Sequence, residues 1–179
     1  MTSALLIIDV QRGLFDEEPR PYQADAVVER INALARRARE ARTPVVFIQH
    51  ERATGSLVYG SPSWQLERNL EVAPTDLHVR KSTPDSFLRT NLHELLVKHQ
   101  VSDVVICGYA CEFCVDTTVR RAAALGFPVT LVEDAHTTHD KPHATAASIR
   151  AHENATLPNI GSFGVLIEAI PSGQVSFAA

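Results

Sequence analysis

The sequence predicts an α/β fold, in which helices cover both faces of a mainly parallel sheet. Short apolar runs typical of buried strands recur along the chain, and segments with helical spacing of apolar residues separate them. The first run is continuously apolar, as expected for a strand buried on both faces. With 179 residues, 45% of them hydrophobic, the chain is long enough for a single domain over residues 1–179.

The first half of the chain alternates strands with a long helix. Residues 4–10 predict the first strand, and residues 11–15 predict a loop. Apolar residues at helical spacing then predict a helix over residues 24–42. The second strand is expected at residues 44–49 and the third at residues 77–81.

Residues 51–76 interrupt this pattern. They show no clean periodicity and contain two glycines, two prolines and the only tryptophan, Trp64. Irregular segments of this length in compact domains are often lids or binding loops. We therefore expect residues 51–76 to cover or line a ligand site.

The second half continues the alternation of helices and strands. The predicted elements are a helix that starts at residues 83–85 and includes Phe87 and Leu88, a strand at 104–107, a strand at 128–133 with its exit at 134–136, a helix at 144–152 and a last strand at 165–169. Connections of this kind give a doubly wound sheet, which binds ligands at the carboxyl ends of its strands.

The stretch at residues 104–116 carries the clearest chemical signal. A buried strand ends at Gly108, and a helical pattern that follows Cys114 stops at Gly126. Cys114 is therefore expected at a helix N-terminus, where backbone N–H groups and the helix dipole favour an anion. Such a position can depress the pKa of a cysteine and make it nucleophilic.

Two more reactive side chains are expected at the same edge of the sheet. Asp9 stands near the end of the first strand, and Lys81 ends the third. Together with Cys114 they form a candidate catalytic site at the carboxyl ends of parallel strands.

Composition argues against several classes of partner. The net charge is −4, the sequence pI is about 6.0 and no basic run is present, which argues against nucleic-acid binding. The N-terminal apolar run is too short to span a bilayer and has no positive region before it, so no membrane partner and a cytoplasmic location are expected. Three cysteines do not suggest a disulfide framework.

Three segments resemble the isochorismatase-like cysteine hydrolase superfamily, which includes nicotinamidases and other small-amide hydrolases. They are LLIIDVQRGLF at 5–15, RKSTPDSFLRTNL at 80–92 and GYACEFCVDTTVRRAAALGFPVTLVEDA at 108–135. The resemblance implies a Rossmann-like three-layer α/β/α sandwich with six strands, doubly wound, and a site between the first and fourth strands.

The resemblance also implies roles for individual residues. Asp9, Lys81 and Cys114 would form a catalytic triad. A non-proline cis peptide is implied at Tyr109–Ala110, and the N–H groups of Ala110 and Cys114 would form the oxyanion hole.

The chain departs from nicotinamidases at the metal-ligand motif. Those enzymes carry Asp-x-His-Pro-x-x-His after the second strand, whereas residues 49–52 of this chain read Gln-His-Glu-Arg. Nicotinamide is therefore disfavoured as the substrate, and no metal or other cofactor is expected. The family often has Thr where this chain has Cys111, so the contact that this threonine makes is in doubt.

The predicted function is cysteine-dependent hydrolysis of a small-molecule amide through a thioester. The candidate substrate-binding residues are His50, Trp64, Phe15, Phe87 and Phe113. Members of the family commonly form homodimers or homotetramers, and the same is expected of this chain.

Three alternatives remain open. The first is an isochorismatase-type vinyl-ether hydrolase, which would need acid catalysis by Asp9 but not Cys114. The second is a thiol oxidoreductase that uses the Cys-x-x-Cys motif of Cys111 and Cys114. The third is a non-catalytic domain. A zinc site of Cys111, Cys114, His136 and His139 is disfavoured, because a whole predicted helix and strand separate its two halves.

Overall fold

A computed structural model describes residues 2–177 and confirms the predicted three-layer α/β/α architecture. Six parallel strands form one sheet. The strands are β1 (Thr2–Ile8), β2 (Val45–His50), β3 (Leu77–Lys81), β4 (Val101–Tyr109), β5 (Val129–Thr137) and β6 (Ile167–Ile170). The α-helices are α1 (Arg12–Phe15), α2 (Ala24–Glu40), α3 (Leu92–Lys98), α4 (Asp116–Ala124) and α5 (Ala146–Thr156).

The strand order is β3-β2-β1-β4-β5-β6, so the winding reverses between β1 and β4. Alternate residues of the strands pack into two hydrophobic clusters, one on each face of the sheet. Leu6 and Ile106 belong to one cluster, whereas Leu5 and Val105 belong to the other. Both faces of the sheet are therefore buried, which explains the continuous apolar runs in the sequence. Within residues 2–177, no helix has the length and apolar character that crossing a membrane requires.

Three sequence-predicted elements differ from the structure. Residues 11–15 contain the single helical turn α1, because the Gln11 carbonyl accepts hydrogen bonds from the N–H groups of Leu14 and Phe15. The expected exit of the fifth strand lies inside β5, which pairs with β4 as far as Thr137.

The helix predicted from residues 83–85 onward is shorter than expected. Phe87 lies in a turn, where its N–H donates to the Asp85 carboxylate at 2.7 Å. Arg89 has a φ of 57°, which an α-helix does not accommodate. Helix α3 therefore begins only at Leu92.

The end of β4 requires a glycine. Gly108 has a φ of 118°, and a Cβ at this position would lie 2.1 Å from the Ile8 carbonyl oxygen on β1. The close approach of β1 and β4 here brings their carboxyl ends together. After β4 the chain makes one π-helical turn, Cys111–Val115, before α4 begins. Cys114 thus lies inside this turn rather than at the first residue of an α-helix.

Candidate active site

The candidate site lies where the carboxyl ends of four elements meet. Asp9 follows β1 directly, His50 ends β2 and Lys81 ends β3. His50 and Lys81 are partners in the register of the sheet. The π-helical turn after β4 supplies Cys114. All four side chains therefore come from the carboxyl edge of the sheet. The winding of the sheet reverses at this edge between β1 and β4.

The Lys81 ammonium is the centre of the site. Its Nζ lies 2.7 Å from Asp9 Oδ2, 3.2 Å from Cys114 Sγ and 3.3 Å from His50 Nδ1. It also donates to the Thr83 carbonyl at 3.1 Å. The side chains of Lys81 and Asp9 are 0% and 2% exposed, so this ion pair is shielded from solvent. The structure thus brings together the three residues that sequence analysis proposed as a triad.

Asp9 is held in an unusual backbone conformation. Its φ is 51°, in the left-handed region, and its N–H donates to the Ile48 carbonyl at 2.8 Å. Lys81 binds Oδ2, whereas Oδ1 is buried without a hydrogen-bond partner among residues 2–177. An unpartnered buried carboxylate oxygen is free to accept a proton from a group inside the site.

The pKa of the Cys114 thiol is raised. The expectation that a position near a helix start lowers this pKa is therefore wrong. Burial raises the pKa of Cys114 to about 12, the Asp9 charge adds to this effect, and the Lys81 ammonium opposes both. The carboxylate, thiol and imidazole ligand atoms of Asp9, Cys114 and His50 all lie within 4.8 Å of one another. Cys114 therefore rests as a thiol beside a base and does not need to be ionised in advance.

Backbone groups beside Cys114 form the turn after β4. The N–H groups of Phe113 and Val115 both donate to the Ala110 carbonyl. The Tyr109–Ala110 peptide bond is cis. The N–H groups of Ala110 and Cys114 stay the predicted donors to an oxyanion.

A pocket of about 330 Å³ opens beside the sulfur. Asp9, His50 and Cys114 line it, and its apolar wall consists of Leu14, Leu57, Pro84, Tyr109, Ala110 and Phe113. Of the five predicted substrate-binding residues, His50 and Phe113 line this pocket. The Phe113 side chain is 54% exposed, so it is available for contact with a ligand.

The other three predicted substrate-binding residues do not line this pocket. Phe15 is fully buried in the core, and its ring packs edge-on against Tyr109 at 5.9 Å. Phe87 is also in the core and stacks on Phe127 at 6.3 Å. Trp64 packs against Tyr59 on an outer groove, with 4.9 Å between ring centroids.

Sequence analysis missed several residues of the site. Arg52 and Leu57 line the pocket and come from the irregular segment after β2, whose sequence contains no periodic signal. The Gln11 side chain holds the end of β2, because it accepts from the His50 N–H at 2.8 Å and donates to the His50 carbonyl at 3.0 Å. The sequence signal that could have indicated a role for Gln11 is its position two residues after Asp9.

The His50 imidazole is neutral in this site. Burial lowers the pKa of His50, and the Lys81 ammonium adds to that effect. His50 Nδ1 lies 3.3 Å from the Lys81 ammonium. His50 therefore presents a neutral imidazole on the pocket wall.

The proposed zinc set does not converge. His136 Nδ1 lies 3.0 Å from Cys111 Sγ, whereas His139 Nδ1 pairs with the Tyr109 hydroxyl at 2.8 Å and Cys114 contacts Lys81. The geometry also disfavours a thiol oxidoreductase, because Cys111 is fully buried and forms a hydrogen bond with His136.

One group of three metal-ligand types does cluster within residues 2–177, namely Asp9, His50 and Cys114. The Lys81 ammonium lies within hydrogen-bonding distance of a ligand atom of each of them. A metal ion at this position would meet the positive charge of that ammonium. The donor set therefore fits Lys81 better than a metal ion.

Comparison with known sequences places the chain in a family. The family model described as "Isochorismatase domain" matches residues 3–161. A streptothricin hydrolase of Streptomyces noursei is 37% identical over 142 residues, which are 79% of this chain and 51% of the relative. The chain thus spans about half the length of this relative. The secreted isochorismatase effector Isc1 of Verticillium dahliae is 31% identical over 93% of this chain and 88% of its own length.

Comparison with solved structures supports the same family assignment. A crystal structure of an isochorismatase family protein superposes with a TM-score of 0.86 at 35% identity, and the match covers 94% of this chain and 97% of that one. The resemblance drawn from three sequence segments is confirmed, and the chain belongs to the isochorismatase family of hydrolases.

Proposed function

We propose that this protein is a cysteine-dependent amidohydrolase that cleaves a small-molecule amide through a thioester on Cys114. One observation carries the proposal. The Lys81 ammonium contacts both the Asp9 carboxylate and the Cys114 sulfur, at the wall of a pocket open to small molecules. The name of the Streptomyces noursei relative, streptothricin hydrolase, supports a hydrolytic reaction.

In the proposed first step, Asp9 acts as the base. Cys114 Sγ attacks the amide carbonyl carbon while its proton moves to Asp9 Oδ1, which has no other partner among residues 2–177. The Lys81 ammonium pairs with the Asp9 carboxylate before the attack and stabilises the negative charge on sulfur as the proton leaves. Because the proton leaves during the attack, a thiol with a raised pKa can act as the nucleophile.

The oxyanion of the tetrahedral intermediate would accept hydrogen bonds from the N–H groups of Ala110 and Cys114. Such donors typically contribute about 3–4 kcal/mol each to transition-state stabilisation. Protonated Asp9 then donates its proton to the leaving amine, the C–N bond breaks and the thioester remains on Cys114.

Water completes the proposed cycle. Asp9 takes a proton from the attacking water, the thioester C–S bond breaks and Asp9 returns the proton to Cys114. The products are a carboxylic acid and ammonia or an amine. Every proton is carried by Asp9, so the cycle needs no cofactor.

The direct test is the Cys114→Ala variant, with Cys107→Ala as the matched control. Cys107 is fully buried within β4, so its removal deletes a thiol away from the pocket. A panel of small amides is incubated with each variant, and released ammonia is measured. We expect hydrolysis to be lost in Cys114→Ala and kept in Cys107→Ala. Undiminished hydrolysis by Cys114→Ala would end the proposal.

The same variant distinguishes the vinyl-ether alternative. Vinyl-ether cleavage begins with protonation of carbon by an acid, a role open to Asp9 but not dependent on sulfur. Cleavage of isochorismate-type vinyl ethers that survives in Cys114→Ala would favour this alternative over the thioester route.

Location and assembly also stay predictions. A cytoplasmic location is proposed although one relative, Isc1, is named as secreted. A homodimer or homotetramer is proposed on the family resemblance, and light scattering after gel filtration tests it directly.

A further inference from the structure

The charges around the pocket leave one cation unmatched. Three carboxylates lie on the pocket or next to it in the chain, and each pairs with a cationic side chain. The pairs are Asp9 with Lys81 at 2.7 Å, Glu51 with Arg80 at 2.7 Å, and Glu112 with Lys141 at 3.3 Å. Arg52 also lines the pocket, yet it has no carboxylate partner among residues 2–177. Because Lys81 neutralises Asp9, the Arg52 guanidinium is the charge on the pocket lining that lacks a counter-charge within residues 2–177.

The backbone of Arg52 is fixed. Its N–H donates to the Leu57 carbonyl at 2.9 Å, and Arg52 and Val58 form an isolated β-bridge. These contacts fix the backbone from which the guanidinium side chain extends. Binding of a ligand by Arg52 therefore does not require this backbone to become ordered.

The wall next to Arg52 adds no competing negative charge. His50 lines it with an imidazole whose Nδ1 lies 3.3 Å from the Lys81 ammonium. A guanidinium without a matching carboxylate suits a ligand group that accepts hydrogen bonds and is negatively charged.

We propose that Arg52 recognises a carboxylate on the substrate, so that the preferred substrate is a small amide that also carries an acid group. The proposal rests on the proposed amidohydrolase function. The guanidinium would bind the carboxylate, while Leu57 and Phe113 pack on the apolar part that links it to the scissile amide at Cys114. A planar guanidinium binds a carboxylate through two parallel hydrogen bonds, which makes carboxylate the preferred anion.

Three amides of similar length test the proposal. Succinamate carries a negative charge, methyl succinamate is neutral and 4-aminobutanamide is positively charged. Ammonia release gives kcat/KM for each amide. We expect the wild-type protein to prefer succinamate over the neutral amide by roughly ten-fold to a hundred-fold, the range for hydrogen bonds to a charged group.

Arg52→Met is the informative variant, because it removes the charge and keeps the length of the side chain. The preference for succinamate over methyl succinamate should disappear, mainly through a higher KM for succinamate. Arg89→Met is the matched control, because Arg89 is exposed, lines a different groove and lacks a carboxylate partner within residues 2–177. It should leave the preference unchanged.

A binding assay separates failure of this proposal from failure of the proposed function. Succinate is added during alkylation of Cys114 by iodoacetamide, a reaction that needs no turnover. Protection by succinate in the wild type that is lost in Arg52→Met supports anion recognition even if no amide is hydrolysed. Equal kcat/KM for the three amides, together with no Arg52-dependent protection, would overturn the proposal while leaving Cys114-dependent hydrolysis intact.

Discussion

Replacement of Asp9 by Asn should separate the reactivity of the thiol from catalysis. Asn keeps the shape of the side chain but removes the negative charge that raises the pKa of Cys114. The Asp9 and Cys114 ligand atoms lie within 4.8 Å of each other. At this distance and an effective dielectric constant of about 20, the lost repulsion between carboxylate and thiolate is about 3.5 kcal/mol.

This energy corresponds to a thiolate fraction roughly 300-fold larger at a given pH, if nothing else changes. The Lys81 ammonium loses its carboxylate partner in the variant, and rearrangement of its contacts would reduce the gain. We therefore expect iodoacetamide to alkylate Cys114 at least about ten-fold faster in Asp9→Asn than in the wild type at pH 8. Amide hydrolysis should fall by roughly 10²- to 10⁴-fold, because the general base is gone.

The assay is mass spectrometry of the peptide that contains Cys114, sampled during alkylation, alongside ammonia release from an amide substrate. Circular dichroism verifies that the variant is folded. Faster alkylation with lost hydrolysis is the expected combination. Slower alkylation in Asp9→Asn would mean that Asp9 activates a resting thiolate, which contradicts the roles assigned to both residues.

Three further perturbations follow from the structure. Lys81→Met should abolish hydrolysis and lower the free energy of unfolding in urea by about 3–5 kcal/mol, because Asp9 is left as an unpaired buried charge; unchanged stability would contradict a buried ion pair. Gly108→Ala should give little folded protein, because the new Cβ would meet the Ile8 carbonyl at 2.1 Å; normal yield and circular dichroism would refute the close approach of β1 and β4. Burial lowers the pKa of His136 to about 4 from its ordinary 6.5, so unfolding takes up a proton between these values and stability falls as pH decreases from 6.5 to 4. The loss attributable to His136 is about 3 kcal/mol, measured as the difference in pH dependence between wild type and His136→Gln, and parallel curves would contradict it.

The sheet and the placement of its reactive edge were predictable from sequence. Strands buried on both faces appear as continuous apolar runs, and residues that follow such runs lie at one edge of a parallel sheet. The ends of these runs therefore predicted the edge of the sheet at which Asp9 and Lys81 lie. The position of Cys114 was predictable because Gly108 ends its strand and a helical pattern comes next.

Other features depend on contacts that local sequence does not encode. Phe87 fits a helical spacing, yet the positive φ of Arg89 ends any helix there, and Phe87 packs into the core instead. Arg52 comes from an aperiodic segment, so nothing in the sequence indicated which of its residues reach the pocket. The pKa of Cys114 is raised by burial and then by the Asp9 charge, and both depend on long-range packing.

Trapping with hydroxylamine tests the central claim, an acyl group carried by Cys114, most directly. Hydroxylamine competes with water for a thioester and converts the acyl group into a hydroxamate. Hydroxamate yield should rise with hydroxylamine concentration at the expense of the free acid, and Cys114→Ala should form neither product. If only the free acid forms at every hydroxylamine concentration, water attacks the substrate directly and no thioester lies on the path.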